Sequence, residues 1–233
     1  MSRSGKAAIG TLALLLVLVG GAYALDRWAV AQAEDRVRTE LSTAFPDAER
    51  LEVSIAGALF LPQVITGSLS TVELSADGVR YEGLDVANVE VLAQGVDVGE
   101  PRTVEELTVS ATVPGTTVQA AVAASGRVPE GVTIEITGGD LVASATVLGV
   151  PLEATLQPVV SDGELQLEPQ TFSLGGLEVD ADAIPGDLLG DLGSLQVPAD
   201  ALPDALTLTS AEVIGDEVRL EVTGSQVALD DLN

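Results

Sequence analysis

The sequence predicts an α+β fold, a long amphipathic helix packed on a curved antiparallel sheet, following an N-terminal transmembrane or signal segment. Three observations carry this. Residues 7–25 run for 19 positions without a charge. Residues 26–45 then repeat apolar side chains every three or four positions, the period of a helix with one buried stripe. From Leu51 onward the apolar period drops to two, with two-residue turn signals between the runs.

The first element is "AAIGTLALLLVLVGGAYAL", Ala7 to Leu25. As a helix it is about 28 Å long, enough to span a bilayer. Arg3 and Lys6 precede it, so the positive-inside rule leaves residues 26–233 outside the cytoplasm, in the periplasm or its equivalent. Ala22-Tyr23-Ala24 also has the small-residue form of a signal cleavage site, so a cleaved leader competes with a retained anchor. Next comes an amphipathic helix with Val30, Ala33, Val37, Leu41 and Ala44 on one face, ended by Pro46. Trp28 reads either as an interfacial anchor or as the start of that buried face.

Strands follow. "LEVSI" aligns Leu51, Val53 and Ile55; "TVEL" leads to a turn signal at Asp77-Gly78; "VANVEVLAQGVDV" and "EELTVSATV" come next. Residues 115–124 read as a short helix. "VTIEI", "LVASATVL", "PLEATLQ", "ELQLE", "LTLTSAEVI" and "EVRLEV" complete the antiparallel series, punctuated by Gly138-Gly139-Asp140, Asp162-Gly163 and Gly215-Asp216. Ile184 to Leu195 has helical leucine spacing broken by Gly190 and Gly193. No linker interrupts residues 26–233, which are read as one domain after the segment 1–25.

Composition excludes several functions. Hydrophobic residues make up 46% of the chain and aromatics only 3%, so the core is aliphatic, a lining better suited to acyl chains than to flat rings. The net charge of −26 repels nucleic-acid phosphates, so no nucleic acid is expected as a partner. There is no Cys and no His. Thiol chemistry, disulfides and the commonest general base and metal ligand are thus missing. Lys6 is the sole lysine and precedes the apolar span. Only carboxylate chemistry is left, and with 36 acids chance pairs are inevitable. Asp180-Ala181-Asp182 has the form of a metal-sugar-nucleotide motif but lacks a βαβ context, and reads as a solvated strand end. The expectation is a protein that is not an enzyme, with no catalytic residues, no cofactor and no metal centre.

One stretch stands out: "GALFLPQVITGSL", Gly57 to Leu69, uncharged in an acidic chain and set between two strands. Leu51 to Val98 as a whole resembles the actinobacterial LmeA-like phospholipid-binding family. The resemblance is carried by Phe60-Leu61-x-Gln63-x-x-x-Gly67, by "AED" at Ala33 to Asp35, and by "LPDALTLTSAEVIGDEVRLEVTGSQVAL" at Leu202 to Leu229. Leu59 stands where that pattern favours Pro. The resemblance implies a cell-envelope protein that binds or transfers phospholipid and supports lipoglycan or mannan assembly. It also implies a tubular lipid-binding fold, similar to the bactericidal permeability-increasing proteins, with an apolar channel.

Within that implied channel, Phe60, Leu61, Val64, Ile65 and Leu69 are expected to line or gate the path, with Val37 and Leu41 of the long helix facing them. Arg36, Arg38 and Arg80 are the candidates for meeting a lipid phosphate, because bases are scarce; ordinary pairing with neighbouring acids is the competing reading. Phospholipid is the expected ligand, and residues 7–25 the expected membrane contact. Two further readings compete: a non-catalytic envelope scaffold or partner-binding domain with a filled core, and an acid-pair glycan hydrolase.

Overall fold

The computed structural model describes residues 3–81, 83–125, 132–147, 149–180, 195–197, 202–203 and 205–229, and only the backbone of 3–20, 81, 121–125, 147, 179–180 and 195–197. The first helix, α1 (Arg3–Ala44), is continuous, so the apolar run and the amphipathic run share one helix. It stops before Pro46, as the proline requires. Val30 is buried and Ala29 and Ala33 pack on the core, while Val37 and Leu41 are half-buried. Among the described residues, no helix is long and apolar enough to cross a membrane; the side chains of residues 7–20 lie outside that description.

The chain then builds β1 (Glu52–Ala56), α2 (Phe60–Thr66), β2 (Ser68–Tyr81), β3 (Leu84–Asp97) and β4 (Thr103–Pro114). The helix α3 (Gly115–Ser125) leads to β5 (Thr133–Thr137), β6 (Asp140–Val147), β7 (Val150–Ser161), β8 (Glu164–Leu174), β9 (Leu177–Asp180) and β10 (Leu195–Val197). The hairpin of β11 (Leu206–Ile214) and β12 (Glu217–Ala228) completes the described chain. The protein is mostly antiparallel sheet, in two six-stranded sheets. The first has the order β1-β2-β3-β4-β12-β11, so the second is inserted between β4 and the returning hairpin. The second runs β10-β8-β7-β6-β5, with β9 also paired to β8. β11 packs against β7, and Val213 joins the second core of Ile134, Leu141, Leu156 and Leu167.

The turn expected at Asp77-Gly78 does not form. β2 runs straight through both residues because Glu49 bridges to Gly78: the Glu49 N–H donates to the Gly78 carbonyl and the Asp77 N–H to the Glu49 carbonyl. A third chain segment thus satisfies backbone groups that a turn would have turned away. Asp162 and Gly163 do form a turn, both at positive φ. The expected helix over residues 184–195 and the Asp180-Ala181-Asp182 motif lie outside the described residues, apart from their first or last residues in strands: Asp180 ends β9 and Leu195 opens β10.

In the first sheet, pairs are missing at Ser70, Gly95, Glu105 and Gln226, four residues in line across β2, β3, β4 and β12. Gly95 and Gln226 have positive φ (61° and 52°). A Cβ on Gly95 would overlap the Glu105 side chain. Across this line the buried residues fall three apart instead of two: Ala93 and Val96, Val104 and Leu107. The irregularity resets the alternation, so Leu69, Val96, Val104 and Val227 join the same core as Ile55, Ala93 and Leu107.

Candidate functional site

The uncharged stretch Gly57–Leu69 folds as a one-sided helical turn clamped at both ends. Its entry residue Leu59 has no side-chain cap. The missing cap comes from Asp26 on α1, whose Oδ1 accepts the Leu61 N–H at 2.8 Å. Asp26 is only 2% exposed, and its Oδ2 lies 3.6 Å from the Arg27 guanidinium. The Leu61 N–H, chiefly, holds this carboxyl below the usual aspartate value. At the other end Gly67 takes the left-handed conformation at φ 78°, and its N–H returns to the Val64 carbonyl. Gln63 ties the two ends together: Nε2 donates to the Leu59 carbonyl, and Oε1 accepts from the Ser70 N–H. A Cβ on Gly57 would overlap the Gln63 amide. The Phe60-Leu61-x-Gln63-x-x-x-Gly67 pattern therefore encodes this clamp. Glu34, from the "AED" motif, accepts the Ile55 N–H at 2.9 Å and so closes the free edge of β1.

This geometry divides the residues expected to line one path. Phe60 and Leu69 are buried members of the first core. Leu61, Val64 and Ile65 project outward, Ile65 being 85% exposed. The division follows from a seven-residue helix lying on a sheet, because such a helix, about two turns long, buries only one face. Trp28 is likewise 67% exposed and does not begin the buried face of α1.

A cleft of about 770 Å³ lies elsewhere, along the middle of the first sheet. Its lining includes Arg38 of α1, Arg50 and Leu51 ahead of β1, and residues of β1 to β4 with Glu221 of β12. The strand register explains what it offers. Val53, Leu74, Val91, Val109, Val222 and Leu208 stand opposite one another in a single apolar row across all six strands. Val53 and Leu208 at its ends are buried, but Leu74, Val91, Val109 and Val222 are only half-buried. Val53, Leu74 and Val91 border the cleft. On either side of this row run the polar row Glu52-Ser75-Glu90-Ser110-Glu221 and the row Ser54-Glu73-Leu92-Thr108, polar except at Leu92, both on the opposite face of the sheet. Nine of the lining residues belong to those opposite-face rows, and Val53, Leu74 and Val91 of the apolar row join them with the guanidinium groups of Arg38 and Arg50.

Of the three basic candidates, only Arg38 lines this cleft. It is paired with Asp35 at 2.7 Å. Arg36 is exposed and pairs with Glu40 at 3.8 Å, one helical turn away. Arg80 is held by Asp85 through Nε and Nη2, which raises its pKa, and is not in the lining. Arg50 was not among the residues the sequence singled out, yet it lines the cleft and pairs with Asp77 at 2.7 Å. Its signal was present in the scarcity of bases and in its place directly before the first strand.

Residues 24–223 match the family described as LmeA-like phospholipid-binding. The chain belongs to that family. The match takes in the end of the apolar run, the α2 clamp, both sheets and most of the final hairpin. Searches of curated proteins and of solved structures returned no match. Family membership gives meaning to a row of aliphatic side chains left half-open in a sheet, since apolar surface of that kind is what an acyl chain would cover.

Proposed function

We propose that the protein holds a phospholipid with its acyl chain along the half-buried row Leu74-Val91-Val109-Val222 and its phosphate near Arg38 and Arg50. The observation that carries this is that Leu74 and Val91 line the cleft together with Arg38 and Arg50, and that Val109 and Val222 continue their row beyond it, in a member of a phospholipid-binding family. Covering such side chains contributes roughly 1.5–3 kcal/mol each when burial is complete. The two guanidinium groups are engaged with Asp35 and Asp77, and a phosphate would compete with those exposed carboxylates at little cost, because exposed ion pairs are worth only about 0–1 kcal/mol.

In this reading the protein is non-catalytic and works outside the cytoplasm, tethered through residues 7–25 or released after their removal. It carries or presents phospholipid within the envelope in support of lipoglycan or mannan assembly, on a tubular lipid-binding architecture. The absence of His and Cys from the sequence supports the non-catalytic reading. The filled-core scaffold has one observation in its favour, the close-packed row Leu69-Val96-Val104-Val227 at the α2 end. Organic extraction of the purified full chain, followed by mass spectrometry, separates the two. Near-stoichiometric phospholipid supports the proposal, and a lipid-free protein supports the scaffold.

A further inference from the structure

We propose that the outward face of α2, together with the point where α1 leaves its apolar run, forms a surface that docks into the interfacial layer of the bilayer. This rests on the reading that residues 7–25 insert in that bilayer. It adds a second contact that the anchor by itself does not require.

Four features lead to the lipid surface as occupant. First, α1 is continuous from the apolar run into the domain, so the bilayer boundary falls near Leu25 and Asp26. Second, six exposed large apolar side chains lie there, Tyr23, Leu25 and Trp28 on α1 and Leu61, Val64 and Ile65 on α2, while others such as Leu174 and Leu177 stand at the β8–β9 turn. With a rise of about 1.5 Å per residue, Trp28 lies only about 4.5 Å beyond Leu25 along the axis, the depth at which indole rings settle. Third, α2 is bonded to that boundary. The Asp26 carboxylate accepts the Leu61 N–H at 2.8 Å, which places the outward face of α2 beside the helix exit. Fourth, the charge pattern fits a lipid surface and not a further protein domain's acids. A chain of net charge −26 is repelled by anionic headgroups, yet residues 53–72 carry no charge at all. The buried Asp26 is matched by Arg27, whose guanidinium stands 5.7 Å from the Tyr23 ring centre and is 45% exposed at the level of the headgroups.

Docking here would orient the domain. α2 precedes β2, and β1 and β2 carry Val53 and Leu74 of the cleft lining, so the membrane contact and the cleft are joined through two short strand segments.

The test uses the full chain, whose lack of cysteine makes single labels clean. Ile65→Cys and, as reference, Ile214→Cys are labelled with a nitrobenzoxadiazole fluorophore. Ile214 is also exposed but lies at the opposite end of the sheet, beside the β11–β12 turn. Both proteins are reconstituted in vesicles of three parts phosphatidylcholine to one part phosphatidylglycerol, with and without doxyl-labelled lipid. Intrinsic fluorescence of Trp28, the sole tryptophan, is measured on the unlabelled chain. The expected result is at least threefold stronger quenching at position 65 than at 214, with Trp28 quenched as well. Quenching of Trp28 with equal, weak quenching at 65 and 214 overturns the docking surface and leaves the anchor standing. Absence of quenching at Trp28 overturns the anchor reading and the docking surface with it. Melting curves of the labelled variants matching that of the wild type exclude unfolding as the cause of either result.

Discussion

Two of the aliphatic rows that cross the first sheet are buried to different depths. Leu69, Val96, Val104 and Val227 form a sealed row, with Val227 wholly buried. Leu74, Val91, Val109 and Val222 form a row of the same chemistry that stays half-open. The difference lies in what covers them. The sealed row shares its core with Phe60 of α2 and Val30 of α1, and the reset of alternation at Gly95 and Gln226 turns it into that core. The open row lies at the margin of that core, where Val91 and Val109 pack against it without being buried. Identical side chains thus serve as core in one place and as candidate binding surface in the other, and composition alone does not distinguish them.

The largest expected effect is on the sealed side. Phe60→Ala removes the one aromatic plug of α2 and should destabilise the protein by about 3–5 kcal/mol in denaturant melts, and Leu69→Ala by about 2–5 kcal/mol. Losses as small as those of exposed positions would show that the row is not the core it resembles. Next, Gly67→Ala forces a Cβ into a left-handed cap and should cost about 1–2 kcal/mol.

Asp26 sharpens the comparison through pH. Its carboxyl is held below the normal value in the folded state, so the folded protein binds fewer protons than the unfolded one as acid is added. Stability from this group is full above the unfolded value of 3.8 and is lost as pH falls through the lower folded value. The melting-temperature gap between wild type and Asp26→Asn should therefore be constant at neutral pH and shrink below that point. A gap that does not change with pH would remove the ionised cap from the account. The smallest effect belongs to the outward face of α2. Leu61→Ala and Ile65→Ala should leave stability within about 0.5 kcal/mol of wild type, because both side chains already face solvent.

Much of the fold could be read directly from the residues. The helical stripe from Val30 to Leu41, its stop at Pro46, the helix at 115–124 and the Asp162-Gly163 turn are all local signals, and the structure contains them. What escaped depends on distant partners. Asp77-Gly78 looks like a turn until Glu49 is placed beside it. The three-residue spacing from Val104 to Leu107 was visible, but only the register across four strands shows it to be a reset of the buried face. The site was less legible still. Gly57 to Leu69 advertised itself as a lipid wall by lacking charge, whereas a short clamped helix must send Phe60 inward and Ile65 outward. The half-open row was spread over β2, β3, β4 and β12, and nothing local marked it.

The most direct measurement is phospholipid occupancy by native mass spectrometry, comparing wild type, Val91→Trp and Ile65→Ala as full chains purified in the same detergent. Val91→Trp fills the open row with bulk, while Ile65→Ala leaves it untouched. Bound phospholipid on wild type and Ile65→Ala, with at least a fivefold loss on a folded Val91→Trp, is the predicted result. Equal occupancy of Val91→Trp and wild type would contradict the assignment of lipid to this row.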